Sequence, residues 1–142
     1  MNHIELQALR RLLFFTQQEA ASLISGTSHR AWQHWEDGKR SVPVDVEREI
    51  FNLCDWRLEA IETIREIMNQ ATCDSCGRIV YYEKMIDWSG EPVLWRPHQS
   101  ACAELHSHGV ELVLFDSANY HQWLAGRDDS ESLRGAWAAQ VL

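Results

Sequence analysis

From Val46 to Met68 apolar side chains return every three to four residues: Val46, Ile50, Leu53, Leu58, Ile61, Ile64 and Met68. That spacing keeps one face of an α-helix apolar for about six turns, at ~3.6 residues each. Pro43 ends the preceding connection, and Asp45 stands where a cap is needed. A helix of this length exceeds what a small domain needs for itself, so it reads as a connector. The chain has 142 residues, enough for one ordinary domain or two small ones sharing a core.

Ahead of the connector the sequence predicts three short helices. Residues 2–15 read as an amphipathic helix capped by Asn2, with Leu6, Leu9 and Leu13 inward and Arg10 and Arg11 outward. Thr16 to Glu19 has the form of a capping box, and Ala20, Ala21, Leu23 and Ile24 follow as a buried side. Ser25-Gly26-Thr27 is a break, Ser28 caps a third helix running to about Asp37, and Gly38 suits its end. Two helices with a tight break form a helix-turn-helix candidate. Ala20 and Ala21 permit close crossing, while Trp32 and Trp35 read as core anchors rather than base-stacking platforms. Ser28, His29, Arg30, Gln33 and His34 then point away from those anchors. In a major groove Arg pairs with guanine and Gln with adenine. Gln17, Lys39 and Arg40 are placed to hold phosphates and fix register.

Glu5 to Arg10, Glu19-Ala20-Ala21 and Trp32-Gln33-His34-Trp35-Glu36-Asp37-Gly38-Lys39-Arg40-Ser41-Val42-Pro43 resemble the YdiL-like proteins and the phage repressors found beside anti-CRISPR genes. Both belong to the lambda-repressor-like, XRE-type helix-turn-helix group. The similarity covers roughly residues 4–65 and is expected to resume around 112–142. Relative to the general XRE pattern the turn before Ser28 is one residue longer, which shifts the helix-three contacts by about one position. The resemblance implies a sequence-specific, homodimeric repressor of its own or a neighbouring operon, reading an inverted repeat in double-stranded DNA.

The overall charge of −8 hides an asymmetry. Residues 1–43 carry five bases and four acids; the rest carries eight bases and seventeen acids. An acidic body with a slightly basic head suits DNA binding through one face and opposes indiscriminate coating of nucleic acid. The sequence leaves RNA binding open. No apolar run approaches the ~20 residues of a membrane span, and no secretory signal is recognisable, so no membrane partner and a cytoplasmic location are expected.

In that compartment four cysteines read as thiols or metal ligands. Cys73-Asp74-Ser75-Cys76-Gly77 is a C-x-x-C knuckle, and His98 and Cys102 share one face of a predicted helix beginning near Pro97. Three thiolates and an imidazole close a tetrahedral structural zinc site. His106 is the competing fourth ligand, His108 a weaker one, and Cys54 reads as a small core residue. Between the knuckle and the helix, Val80, Tyr82, Ile86 and Trp88 alternate with polar neighbours, and Ser89 to Pro92 makes a turn. A β-hairpin is therefore expected, within a zinc-ribbon-like insert at 73–108 that the family pattern does not supply. A strand at Val110–Phe115, a helix from Ser117 to Ala125 and a last helix from Ser130 or Ser132 follow.

The expected fold is mainly α with a small α+β C-terminal part. Residues 1–70 form the helix-turn-helix domain with its long helix, and 71–142 a dimerisation domain including the insert. The dimer is expected to form through Ile61, Ile64, Met68 and the C-terminal strand and helices. No catalytic signature is present, so no enzyme is expected. The alternatives are a protein-interaction adaptor and a zinc- or redox-responsive regulator using the Cys/His segment.

Overall fold

The computed structural model describes residues 1–70 and 77–141. The chain is mainly helical with a small parallel sheet, in the order α1 (His3–Leu12), α2 (Gln17–Ala20), α3 (His29–Glu36), α4 (Val44–Gln70), β1 (Arg78–Tyr81), α5 (Trp95–Ser107), β2 (Glu111–Leu114), α6 (Ser117–Leu124) and α7 (Glu131–Gln140).

Local chemistry sets the first boundaries. Asn2 accepts from the Glu5 amide at 2.9 Å, and the Glu5 carboxylate accepts from the Asn2 amide at 2.7 Å, a complete capping box. α1 ends as Phe14 turns into the left-handed region at φ 67°. Thr16 caps α2 through the Glu19 amide at 3.1 Å. The Glu19 carboxylate does not turn back to the cap, however, because Arg96 of α5 holds it. A π-helical turn over Ala21–Ser25 extends α2, and Gly26 at φ 61° stops it. Ser28 then caps α3 through the Ala31 amide.

Leu6, Leu13, Phe15, Ala20, Trp32, Trp35, Val46, Ile50 and Leu53 share the first core. Trp32 is wholly buried and meets Trp35 edge-on at 5.6 Å. Arg10, expected outside, is buried in this core instead. Its position four residues after Leu6 and three before Leu13 puts it on the apolar face, and Glu36 compensates its charge.

The second half of α4 packs on α5. Ile61, Ala101, Leu105 and Val110 make a shared core, with Ile64, Met68 and Ile79 against it. Much of the apolar stripe expected to seek a second copy is thus covered by the same chain. Leu58 lies off that contact and is half exposed.

The expected β-hairpin does not form. Only Arg78–Tyr81 is extended, and it pairs in parallel with β2, Arg78 opposite Glu111 and Tyr81 opposite Leu114. Met85–Asp87 and Pro92–Leu94 are 3-10 turns. The alternation beyond Tyr82 does not track burial, since Ile86 is 89% exposed. The backbone partners a returning strand would need are replaced by side chains: Trp95 Nε1 and Gln99 Nε2 both donate to the Tyr82 carbonyl. α5 is the crossover between the two parallel strands. It begins at Trp95 because the 3-10 turn feeds it, leaving Pro97 in the first turn, where its missing N–H costs nothing.

β1 and β2 enclose the third core with α6 and α7: Val80, Tyr82, Val113, Phe115, Tyr120, Leu124 and Trp137. Asp116, rather than Ser117, caps α6 through the Asn119 amide, and Ser130 caps α7. No helix among the described residues is long and apolar enough to cross a membrane.

Candidate nucleic-acid interface

Trp32, Trp35 and Glu36 face inward from α3, so the rotation of that helix is fixed by three buried side chains. His29 and Arg30 are left exposed, and Gln33 and His34 half exposed. Arg30 forms no hydrogen bond or ion pair to another described residue. The Ser28 hydroxyl oxygen accepts from the Ala31 amide at 3.1 Å as the helix cap, which leaves its O–H to donate elsewhere. Lys39 and Arg40 stand exposed just past α3, with Lys39 Nζ 3.9 Å from Asp37 and both amides donating to the His34 carbonyl.

Gln17 sits at the junction of α2 and α3. Its Nε2 donates to the buried Glu36 carboxylate, and its Oε1 lies 3.4 Å from His29 Nε2. Arg10 completes the network, with Nε donating to Glu36 at 2.7 Å and Nη1 to the Phe15 carbonyl at 2.9 Å. Sequence reasoning missed Arg10 and Glu36 as the parts that hold Gln17 and α3 in place. The signal was available in the position of Arg10 on the Leu6–Leu13 face.

α5 ties this unit to the rest of the chain. Arg96 donates to both Glu19 carboxylate oxygens, at 2.6 and 2.9 Å, and stacks on Trp95 at 4.1 Å. Ser100 donates to the Leu12 carbonyl while accepting from Arg57.

Of the expected zinc ligands, Cys73 and Cys76 lie outside the described residues. His98 and Cys102 are brought together: Cys102 Sγ is 3.6 Å from His98 Nδ1 and 3.9 Å from Nε2. Two ligands at ~2.3 Å (sulfur) and ~2.0 Å (nitrogen) from one tetrahedral zinc would stand about 3.5 Å apart. Burial lowers the His98 imidazole to about 4 and pushes the Cys102 thiol up to about 12. His106, the competing ligand, is exposed and has its Nδ1 2.9 Å from the Val110 carbonyl. Among the described residues no three ligand-type side chains cluster.

A family model described as Aca2/YdiL-like matches residues 1–114. The chain belongs to the Aca2/YdiL-like family. The matched stretch runs through 73–108, the segment expected as an insert, and ends at 114, where the resemblance was expected to resume. The chain is similar to the Aca2 repressor of Pectobacterium phage ZF40, 32% identical over 114 residues, covering 77% of this chain and 96% of that one. It is also similar to the uncharacterized protein YdiL of Escherichia coli K12, 29% identical over 118 residues, covering 80% and 99%.

Proposed function

We propose that the chain is a cytoplasmic, non-enzymatic transcriptional repressor whose α2–α3 unit is a helix-turn-helix binding double-stranded DNA as a homodimer. The observation that carries this reading is the rotation of α3. Its anchors are buried, while His29, Arg30, Gln33 and His34 face out and Gln17 is fixed beside them. In this reading Arg30 and Gln33 read base edges, and Gln17, Ser28, Lys39 and Arg40 position the backbone. The relative named a repressor supports the regulatory role. Selection of bound fragments from random duplex DNA tests it. An inverted repeat bound with steep salt dependence is expected, since phosphate contacts release counterions. Salt-insensitive binding without sequence preference would favour the adaptor reading, and an RNA competitor of equal strength would redirect it.

A structural zinc ion held by Cys73, Cys76, His98 and Cys102 belongs to the same proposal. It is supported by the knuckle spacing and by the 3.6 Å separation of His98 and Cys102. The ion would turn a buried thiol into a ligated thiolate and tie α5 to the approach to β1. Elemental analysis of purified protein should give one zinc per chain, lost in Cys102→Ala and His98→Ala and kept in His106→Ala. Retention in His98→Ala with loss in His106→Ala would reassign the fourth ligand. Zinc-free protein from zinc-replete medium would remove the site, and with it a zinc-responsive mode.

A further inference from the structure

The side chain of Glu36 is wholly buried, and its carboxylate can only accept hydrogen bonds. Arg10 donates to one of its oxygens at 2.7 Å, and Gln17 Nε2 donates to the other. The amide of Gln17 is thereby held one way round, with its NH2 group on Glu36 and its carbonyl oxygen left for His29. That oxygen, also an acceptor only, lies 3.4 Å from His29 Nε2. Nε2 must then carry the ring proton, so in the neutral imidazole Nδ1 is left as an acceptor. Nδ1 has no hydrogen-bond partner among the described residues, and the ring is exposed.

On the DNA-binding reading above, we infer that His29 is a specificity-determining residue: its Nδ1 accepts from the exocyclic amino group of a cytosine or adenine in the major groove and so rejects guanine and thymine at that position. His29 is the first residue of α3, beside Arg30. In a helix-turn-helix the N-terminal residues of the second helix meet base edges. Cytosine N4 and adenine N6 are donors there, whereas guanine O6 and thymine O4 are acceptors. An acceptor set against an acceptor forms no bond and leaves both groups unpaired. Arg30 carries donors only, so two neighbouring residues of one helical turn make opposite demands on the bases they read. The second Nε2 hydrogen of Gln17 stays available to a phosphate, which joins positioning and reading in one network. Among the described residues no ion pair reaches the His29 ring. Glu36 is bound by Arg10 and Gln17, Glu19 of α2 by Arg96, and Glu5 of α1 by the Asn2 amide, while Asp37 lies past the far end of α3 near Lys39.

Fragments selected from random duplex DNA by the full-length protein at about pH 8 should favour adenine or cytosine about fivefold at one position per half-site, the worth of one neutral hydrogen bond. His29→Ala should lose that preference and keep the one set by Arg30. Gln17→Leu should weaken the same preference, because the ring loses the acceptor that orients it. At about pH 5.5, below the ordinary imidazole range, both ring nitrogens carry protons, and the preference should narrow or pass to guanine. Nitrogen NMR shifts of the His29 ring in the free protein at about pH 8 should place the proton on Nε2. A ring protonated on Nδ1 would overturn the inference and leave the DNA-binding reading intact. So would an operator in which His29→Ala alters no base preference, the result a phosphate contact would give. A guanine or thymine preference at the His29 position at the higher pH, or a preference indifferent to pH or to Gln17→Leu, would overturn it equally. Failure of the parent to select any sequence would overturn both.

Discussion

Arg96, on the helix between the two strands, grips Glu19, on the short helix after α1, with two hydrogen bonds of 2.6 and 2.9 Å. Glu19 is thereby drawn from the cap it would otherwise complete, and the hydrogen bond raises the Arg96 guanidinium further above its ordinary value. Both side chains are about a quarter exposed, so the pair should contribute only about 1 kcal/mol to stability. Its larger effect is on geometry, because it holds the α2–α3 unit against α5. Arg96→Ala should bind a series of operators differing in half-site spacing with weaker preference for one spacing. Arg96→Lys should not restore it, since one ammonium cannot replace the two-pronged contact. A spacing profile unchanged in Arg96→Ala would remove this role.

The Arg10–Glu36 pair presents the opposite balance. The Glu36 side chain is wholly buried and that of Arg10 nearly so, at 2.7 Å. Glu36→Ala should cost about 3–5 kcal/mol in urea unfolding, because it leaves a buried guanidinium uncompensated. Arg10→Met combined with Glu36→Leu should lose much less than the two single changes together. The double variant should nevertheless bind DNA poorly, because Gln17 loses the carboxylate that holds it. Additive losses in the double-mutant cycle would show that the two residues are not coupled.

The helical elements were legible because their causes are local. Caps at Asn2, Thr16, Ser28 and Ser130 and the stripe from Val46 to Met68 lie in runs of a few residues. The outward set on α3 follows from Trp32 and Trp35 being its anchors. The segment from Tyr82 to Leu94 misleads because its alternation resembles a half-buried strand. What decides its structure is remote: Trp95 and Gln99 occupy the carbonyl of Tyr82, and β1 finds its partner about thirty residues on. Glu19 followed the same logic, its local role as a cap overridden by Arg96.

Arg30→Ala and Gln33→Ala should each weaken binding to a selected operator by about 1–3 kcal/mol, with the loss concentrated at one base position per half-site. Their helix content and urea midpoints should stay near the parent's, since neither side chain is in the core. Lys39→Ala and Arg40→Ala should weaken all duplexes alike and reduce the salt slope by about one. Binding curves superimposable on the parent for both Arg30→Ala and Gln33→Ala would displace α3 as the reading helix.

The last prediction concerns acid. Asp129 accepts from Arg134 at 3.0 and 2.8 Å and from the Tyr120 hydroxyl at 2.6 Å. Arg134 in turn donates to the Asp87 carbonyl and lies over Phe115, so the cluster ties the start of α7 to the third core. The hydrogen bonds from Arg134, then that from Tyr120, hold the Asp129 carboxyl down at about 2, below its ordinary 3.8. A carboxyl depressed on folding stabilises the native state above its unfolded value, and that contribution is lost as pH falls through the folded one. Parent protein should therefore lose part of its stability between about pH 4 and pH 2 through this group. Asp129→Asn should be less stable at neutral pH and shallower over that interval, other carboxylates contributing equally to both. Urea midpoints followed by tryptophan fluorescence, to which Trp137 of the same core contributes, supply the comparison. Parallel acid limbs for the two proteins would show that Asp129 titrates alike in the folded and unfolded chains, and that the Arg134 contacts do not persist in solution.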